Sequence, residues 1–464
     1  MSTNYNDMAQ VLSQPPTYDD MAQTLSHALQ NDQLDQALDS LKGMRPVDIA
    51  DALERVDPVL AWRLLEKLPQ RAEIYAYFEA EEQVRLAREF PRATLAQLVG
   101  EMPADERADL FKRLDQQQRD QLLPALAQAE REDIRKLSAY QEGTAGALMT
   151  SDYAMLRGNM NVGQALHALR LEAPDAETIY HSYVVDEQRR LQGVVSLRDL
   201  ILADPSEKIS ELMTADVVSG QVNEDQEDIA KRITRYDLLA LPVIDGQGCL
   251  MGIVTYDDAM DVASEEATDD FHKSAGVTTS LGNLKDATIG LLYRKRVFWL
   301  VLLVFGNLFS GAGIAHFEDV IAANLVLVFF LPLLVDSGGN AGSQSATLMV
   351  RAMATGEVVM KDWLKLLGRE SLVALLLGCT MAGAVSILGY IRGDSMVALV
   401  LALSMVTIVM VGCVIGMSLP FVLSKFKLDP ASASAPLITS VCDAAGVVIY
   451  LYIAAQLLDE VSIV

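Results

Sequence analysis

Two apolar stretches near the C-terminus each carry a carboxylate. Asp443 lies within "ITSVCDAAGVVIYLYIAAQLL", which contains no Lys or Arg, and Asp336 lies with Asn340 within "LPLLVDSGGNAGSQSATLMV". An ionised side chain at membrane depth is costly unless it faces water, a partner or an ion. Small residues around Asp443, including Ser440 and Gly446, leave room for water. The sequence therefore predicts a polar pathway that these two stretches line.

A denser set of carboxylates precedes the apolar half, in "YDDAMDVASEEATDDFHKSAGV". It comprises Asp257, Asp258, Asp261, Glu265, Glu266, Asp269 and Asp270. Like charges three and four residues apart destabilise a helix, so this run favours bound cations over a solvated face. Further upstream, Asp105 and Asp109 share one face of a predicted helix. Taken alone, that pair is more typical of a solvated surface.

Composition separates the chain into an acidic half and an apolar half. The 464 residues have a formal charge of −25 and 51% hydrophobic content. Residues 298–464 hold 7 basic and 11 acidic residues, which leaves 30 basic and 51 acidic residues in 1–297, a net charge of −21. Such acidity disfavours nucleic acid and favours cations as partners.

Periodicity and repeats divide the chain into five segments. We predict a disordered tip (1–23), a superhelical all-α domain (24–139), an α/β tandem repeat (140–262), a long connecting helix (263–293) and a membrane domain (294–464). The all-α assignment follows from apolar residues at three- and four-residue spacing, interrupted by breaks such as "REFPRAT". The repeat is visible in "LMT", which recurs at positions 148 and 212.

Each copy of the repeat ends in a strand pair followed by Ser/Thr-x-x-Asp: Ser196 with Asp199, and Thr255 with Asp258. This order resembles a tandem pair of cystathionine-β-synthase (CBS) regulatory domains. The resemblance implies that Ser196, Arg198 and Asp199 are candidates for binding an adenine nucleotide.

The apolar half predicts five transmembrane helices, beginning after the basic cluster Arg294, Lys295 and Arg296 and continuing near 320–350, 371–391, 396–423 and 435–458. Lys and Arg concentrate in the linkers on the side of that cluster. The positive-inside rule and the polar N-terminus both predict cytoplasmic N-terminal domains. Five spans then place the C-terminus outside, in a bacterial-type inner membrane.

With this architecture, the stretches "SGGNAGSQSATLMVRAMATGE" and "LDPASASAPLITSVCDAAGVVIYL" resemble the MgtE family of magnesium channels. The resemblance covers almost the full chain and implies a homodimeric divalent-cation channel with its pore on the two-fold axis. Asp443 matches the family's pore aspartate, and the carbonyl of Thr439 matches a position facing the hydrated ion. Asp336 and Asn340 are further pore-lining candidates, although Asp336 departs from the small or apolar residue usual there.

The same resemblance implies that cytoplasmic acidic residues sense Mg2+ and close the pore when it is abundant. The matching positions are Glu73, Asp105, Asp109, Asp225, Glu227, Asp237, Asp258, Asp261, Glu266, Asp269 and Asp270. In the nucleotide cleft, Leu238 and His181 occupy positions where the family can have aromatic rings. We therefore expect ATP to bind weakly or not at all.

Two other classes of function stay open. One is a Na+- or H+-coupled divalent-cation transporter or exporter, with Asp336 or Asp443 as the coupling carboxylate. The other is a membrane-anchored nucleotide sensor that uses its CBS pair to bind partner proteins. The sequence contains no Ser–His–Asp grouping, P-loop or GxGxxG motif, so we predict that the chain is not an enzyme and has no catalytic residues.

Overall fold

The computed structural model describes residues 18–174, 176–277 and 288–459. The chain divides into two compact units, Met1–Ala263 and Ser264–Val464. The first contains the all-α domain and the α/β repeat. The second contains the end of the connecting helix and the long apolar helices.

The all-α domain consists of short helices in series, as predicted. They are α1 (Tyr18–Gln30), α2 (Leu34–Leu41), α3 (Pro46–Leu53), α4 (Pro58–Leu65), α5 (Arg71–Ala76), α6 (Ala80–Glu89), α7 (Arg92–Glu101), α8 (Ala104–Arg113), α9 (Gln116–Leu122) and α10 (Gln128–Leu137). Proline begins α3 and α4, where its missing N–H costs nothing. Their apolar faces form one core that includes Leu25, Leu64 and Leu98.

The predicted boundary of the disordered tip is wrong at its C-terminal end. Helix α1 begins at Tyr18, so residues 18–23 are helical. Ala22 and Leu25 are buried in the core of the all-α domain, and this packing stabilises the first turns of the helix. Residues 1–17 lie outside the described residues.

Two three-stranded sheets form the α/β repeat, as the internal repeat predicts. The first copy comprises α11 (Ala145–Leu148), β1 (Tyr153–Arg157), α12 (Val162–Glu172), β2 (Thr178–Val185), β3 (Leu191–Ser196) and α13 (Leu197–Leu202). The second comprises α14 (Ile209–Leu212), β4 (Gly220–Gln221), α15 (Gln226–Arg235), β5 (Ala240–Ile244), β6 (Leu250–Thr255) and α16 (Tyr256–Ser274). In each sheet the first strand pairs parallel with the second, and the second pairs antiparallel with the third.

The connecting helix differs from its predicted bounds of 263–293. Helix α16 begins at Tyr256, directly after β6, and ends at Ser274. Gly276 follows with φ +74°, a left-handed conformation that commonly ends helices. The next long helix begins at Ile289, five residues before the predicted start of the membrane domain. Residues 278–287 of the predicted helix lie outside the described ranges.

Within the described residues, five helices are long and apolar enough to cross a membrane, as predicted. They are α17 (Ile289–His316), α19 (Val326–Ala354), α20 (Trp363–Arg392), α21 (Ser395–Lys425) and α22 (Ala435–Asp459), with the short α18 (Glu318–Ala323) after α17. The described part of this unit packs around a core that includes Leu327, Met405 and Tyr450.

Glycine allows α19 and α21 to approach closely. A side-chain carbon added at Gly342 would lie 2.8 Å from the carbonyl oxygen of Gly412, and one at Gly416 would meet the carbonyl oxygen of Gly342. Glycines four residues apart on both helices are the small-residue pattern of tight membrane helix pairs. Pro332 lies inside α19 without breaking it, so the sequence argument for close contact holds while the predicted break does not occur.

Candidate pore and cation-sensing sites

The Asp443 carboxylate lies on α22 against the glycine-rich segment of α19. A side-chain carbon added at Gly339 would lie 3.4 Å from Asp443 Oδ1. That oxygen has almost no accessible surface and no hydrogen-bond partner among the described residues. A structural aspartate in a membrane helix normally has such a partner. The arrangement therefore leaves an acceptor available for a group outside the chain.

Helix α19 aligns three polar side chains on one face, at i, i+4 and i+7: Asp336, Asn340 and Ser343. Asn340 Nδ2 donates to Asp336 Oδ2 at 2.9 Å. Ser343 Oγ lies 3.3 Å from Thr439 Oγ1 on α22. Asp336 is also close enough to Asp443 for their charges to interact. The two stretches that the sequence singled out thus meet along a polar seam between α19 and α22.

Thr439 lies one helical turn before Asp443, and its hydroxyl donates to the carbonyl of Ala435 at 2.9 Å. The hydroxyl is therefore engaged within the helix. Its backbone carbonyl, the atom named as an ion-facing group, belongs to the uninterrupted α22. Its role toward an ion stays a prediction.

A third carboxylate in the spans was not predicted. Glu370 on α20 accepts a hydrogen bond from the buried Ser345 hydroxyl on α19. Ser345 follows Ser343 by two residues and so lies on a different face of α19. This pair ties α20 to the side of α19 away from the seam. Only the single Glu within an otherwise apolar stretch could have drawn attention to it in the sequence.

In the soluble unit, carboxylates from three distant segments converge. We call Asp105, Glu106, Glu177 and Asp258 the junction cluster. Asp105 and Glu106 lie in the first turn of α8, Glu177 precedes β2, and Asp258 lies in the first turn of α16. Asp105 interacts electrostatically with the other three. Asp105 Oδ1 has almost no accessible surface and no hydrogen-bond partner in the described ranges.

Burial and mutual repulsion raise the pKa of every member of the junction cluster. Burial, followed by the Asp258 charge, raises the pKa of Asp105 well above its ordinary value. Burial, with Asp109 and Asp258 nearby, raises the pKa of Glu106 to about 7. Burial raises the pKa of Asp258 to about 6 against the opposing effect of a hydrogen bond from Thr255. Desolvated like charges of this kind are stabilised by a proton or a cation.

The junction cluster contains two of the predicted sensing residues, and sequence reasoning missed Glu106 and Glu177. Glu106 directly follows Asp105, so local sequence could have indicated it. Glu177 lies in a loop in "PDAETIY", and nothing local predicts that this loop returns to α8. Asp109 is near Glu106, but it is paired with Lys112 at 3.0 Å.

Other predicted sensing residues occupy separate places in the first unit. Glu73 lies on α5 and accepts a hydrogen bond from Gln70 at 3.1 Å. Asp225 caps the start of α15, where Glu227 pairs with Lys231 at 2.7 Å. Asp237 follows the other end of α15, with φ +52°. Ten residues of helix, about 15 Å, separate Asp225 from Asp237, so one ion cannot bind both within a chain.

The remaining predicted sensing residues lie along α16: Asp261, Glu266, Asp269 and Asp270. Burial, followed by the Asp257 charge, raises the pKa of Asp261. Asp269 Oδ1 is inaccessible and has no hydrogen-bond partner within the described part of the chain. In residues 18–174, 176–277 and 288–459, no group of three or more His, Cys, Asp or Glu side chains is arranged to hold a metal ion.

The end of α16 contacts the segment that leads into α22. Lys273 Nζ lies 2.7 Å from Asp429 Oδ2. The other oxygen of Asp429 accepts from the Ala431 amide at 2.8 Å. A side-chain carbon added at Gly276 would lie 3.4 Å from Pro436 Cγ, in the first turn of α22. The connecting helix therefore touches the helix that carries Asp443, seven residues before it.

The predicted nucleotide residues are engaged in helix capping. Ser196 Oγ donates to Asp199 Oδ2 at 2.6 Å and accepts from the Asp199 amide at 3.1 Å, at the start of α13. Arg198 is exposed beside them. In the second copy, Thr255 Oγ1 donates to Asp258 in the same way. Asp258 thus belongs both to the capping motif and to the junction cluster.

Comparison with known protein families matches three parts of the chain. Residues 44–143 match the MgtE intracellular N domain, residues 145–206 and 209–265 match CBS domains, and residues 331–453 match the MgtE divalent cation transporter family. These matches agree with the all-α domain, the α/β repeat and the helices that carry Asp336 and Asp443.

Similar proteins and structures point the same way. The chain is 42% identical over 329 residues to the magnesium transporter MgtE of Thermus thermophilus, which covers 71% of this chain and 73% of that protein. It is 35% identical over 328 residues to MgtE of Bacillus subtilis, covering 70% and 72%. The solved cytosolic domain of a Mg2+ channel MgtE in complex with ATP is 37% identical, with TM-score 0.50, and covers 52% of this chain and 99% of that structure. The crystallised soluble part of a magnesium transporter is 33% identical, also with TM-score 0.50, and covers 54% and 99%.

The relatives are named as transporters, which are not enzymes. The identity extends over more than two thirds of both proteins, and the matched segments include the N domain, the CBS pair and the membrane helices. This chain belongs to the MgtE family of magnesium transporters.

Proposed function

We propose that this chain is a Mg2+-selective channel for magnesium uptake that cytoplasmic Mg2+ closes. It works as a homodimer in a bacterial-type inner membrane, with its N-terminal domains in the cytoplasm and its C-terminus outside. The observation that carries the proposal is the Asp443 carboxylate, whose Oδ1 lacks a hydrogen-bond partner in the described residues and faces the glycine-rich segment of α19.

A hydrated divalent cation fits this carboxylate. Mg2+ gives up its water shell reluctantly and prefers oxygen ligands. Two-fold symmetry brings a second Asp443 to the axis, and the ion between the carboxylates offsets their repulsion. Two opposite unit charges 4 Å apart attract by about 4 kcal/mol at an effective dielectric of about 20. A doubly charged ion between two carboxylates gains several times that before it is desolvated.

The junction cluster supports the sensing part of the proposal. Its carboxylates come from the N domain and from both CBS domains, so an ion bound there favours the arrangement in which these domains meet. Without the ion, buried like charges disfavour that arrangement. This difference in affinity between two states is what an ion-driven switch requires.

The contact at the end of α16 supports the gating part. Asp429 pairs with Lys273 and also caps the short turn before α22. Movement of α16 therefore acts directly on the segment that leads into Asp443. We propose that α16 is the plug whose position closes or opens the pore.

The test is Mg2+ flux through the purified full-length protein in liposomes, with Mg2+ varied on the cytoplasmic side. We expect flux that follows the membrane potential without a Na+ or pH gradient and that falls as cytoplasmic Mg2+ rises. Replacing Asp105 and Asp258 together by Asn should weaken the closure by Mg2+ while leaving flux at low Mg2+ intact. If closure in that variant matches the unmodified protein, the junction cluster is not a sensor.

One observation favours a coupled transporter as the second candidate. Asp336 is an exposed carboxylate on the polar face of α19, bonded to Asn340 within the same helix. Such a carboxylate can carry a proton or bind Na+ during transport. Flux that requires a Na+ or pH gradient, and that becomes independent of it in Asp336→Asn, would support this candidate over the channel.

A further inference from the structure

Glu177 lies at a point where the first CBS domain is bonded to the N domain. The Glu177 amide donates to the carbonyl oxygen of Asp152 at 2.7 Å. The side chain of the same Asp152 accepts from the Ala104 amide, at the start of α8, at 3.2 Å. Asp152 therefore ties the Glu177 loop to the first turn of α8, which carries Asp105.

The Glu177 carboxylate faces other carboxylates at this point. Burial, followed by the charges of Asp258, Asp257 and Asp152, raises the pKa of Glu177 to about 7. Asp105, a mostly buried side chain, interacts with Glu177 and with Asp258, and its Oδ1 has no partner in the described part of the chain. A buried acceptor without a donor is costly, so the cluster is incomplete without a positively charged or donating group.

A cavity beside the cluster gives such a group room to enter. Its volume is about 660 Å³, and its walls include Pro103, Glu130, Asp152 and Glu177. Glu130 Oε2 on this wall is also inaccessible and has no partner among the described residues. One water molecule occupies about 30 Å³, so the cavity accommodates a divalent cation with its first shell of water.

We propose that Glu177 is a ligand for a divalent cation at the junction cluster, held directly or through water, with Asp105 and Asp258. The ion then connects the N domain to both CBS domains, whereas Asp105 and Asp258 alone connect it only to the second. The inference rests on the proposed sensing function and adds the first CBS domain to its ion site.

The experiment counts bound Mn2+ by electron paramagnetic resonance on the full-length protein at pH 8, where protons compete least. Glu177→Gln keeps the size of the side chain and removes its charge. Glu187→Gln removes an exposed carboxylate from the turn between β2 and β3 of the same domain and is the matched control. We expect Glu177→Gln to bind Mn2+ at least ten-fold more weakly at one site per chain, with Glu187→Gln unchanged and Glu177→Asp intermediate. Excess Mg2+ should displace the ion.

Asp105→Asn separates failure of this inference from failure of the sensing function. If Asp105→Asn loses the site and Glu177→Gln retains it, Glu177 is not a ligand and the sensing function stands. If both variants retain the site, the junction cluster does not sense divalent cations. Unchanged Mn2+ binding at the remaining sites of Glu177→Gln shows that the variant is folded, and the loss of one site then supports the inference.

Discussion

The seam between α19 and α22 and the junction cluster use the same chemical group on opposite kinds of scaffold. Asp443 lies on a long uninterrupted helix, and the facing α19 is fixed by close glycine contacts to α21. The junction carboxylates lie instead at a helix start, in a loop before a strand and at the start of α16. A fixed carboxylate suits an ion that passes through without changing the protein. Carboxylates on separate elements suit an ion whose binding changes how those elements are arranged.

The largest expected effect follows from Asp443. Asp443→Asn keeps the size and one acceptor oxygen but removes two negative charges from the dimer's pore. We expect it to abolish Mg2+ flux in liposomes and complementation of a magnesium-auxotrophic strain, while the protein remains folded. Asp443→Glu should be partly active at best, because its longer side chain intrudes on the hydrated ion.

A matched control for Asp443→Asn is Asp394→Asn at the start of α21. Asp394 accepts a hydrogen bond from the Val397 amide, and Asn caps a helix about as well. Flux should therefore be preserved in the control. Wild-type growth of the Asp443→Asn strain would contradict the pore assignment.

The second effect tests the fixed scaffold. A methyl group at Gly416 would collide with the carbonyl of Gly342 on α19, whereas one at Gly383 on α20 meets nothing within 4 Å. Overpacking of this kind typically costs about 1–3 kcal/mol. We expect Gly416→Ala to lower the thermal stability of the detergent-solubilised protein and Gly383→Ala to leave it unchanged. Equal stability of the two variants would mean that α19 and α21 are not held by this contact.

Sequence patterns predicted much of the fold and part of the sites, for identifiable reasons. Helical periodicity, the repeated "LMT" and apolar length are local signals, so the N domain, the CBS pair and the five spans were confirmed. Asp443 was predicted because a carboxylate in an apolar stretch is conspicuous. Glu177 was not, because its role depends on a loop meeting α8, about seventy residues earlier in the chain. The bounds of α16 were wrong because Gly276, which ends it, was not recognised as a stop.

The third prediction concerns pH in the junction cluster. The pKa values of Glu106 and Glu177 are raised to about 7. Between the ordinary carboxyl pKa, about 4.3, and pH 7, the folded protein keeps protons that the unfolded chain has lost. Stability without Mg2+ therefore falls as pH rises through this window, and Mg2+ binding releases the protons that remain.

The measurement is calorimetric titration of the full-length protein with Mg2+ in two buffers of different ionisation enthalpy. We expect apparent affinity to rise from pH 6 to pH 8 and proton release to decline toward pH 8. Glu106→Gln with Glu177→Gln should flatten this dependence. Proton release that is the same with and without the two substitutions would place the titrating groups elsewhere.

The smallest expected effect concerns Lys273, which pairs with Asp429 at 2.7 Å although both side chains are partly exposed. Exposed ion pairs contribute about 0.2–1 kcal/mol, and 1 kcal/mol changes a two-state equilibrium by roughly five-fold. Lys273→Met should therefore raise the cytoplasmic Mg2+ concentration needed for half-closure by up to about five-fold, because the end of α16 is held less firmly at the segment before α22. Lys273→Arg should retain the normal threshold, and Lys427→Met removes a cation from the same connection between α21 and α22 as a control. The readout is the Mg2+ dependence of flux, with maximal flux at low Mg2+ unchanged in all three. If Lys273→Met and Lys427→Met shift the threshold equally, the effect is one of general charge, and the contact between Lys273 and Asp429 does not hold the gate.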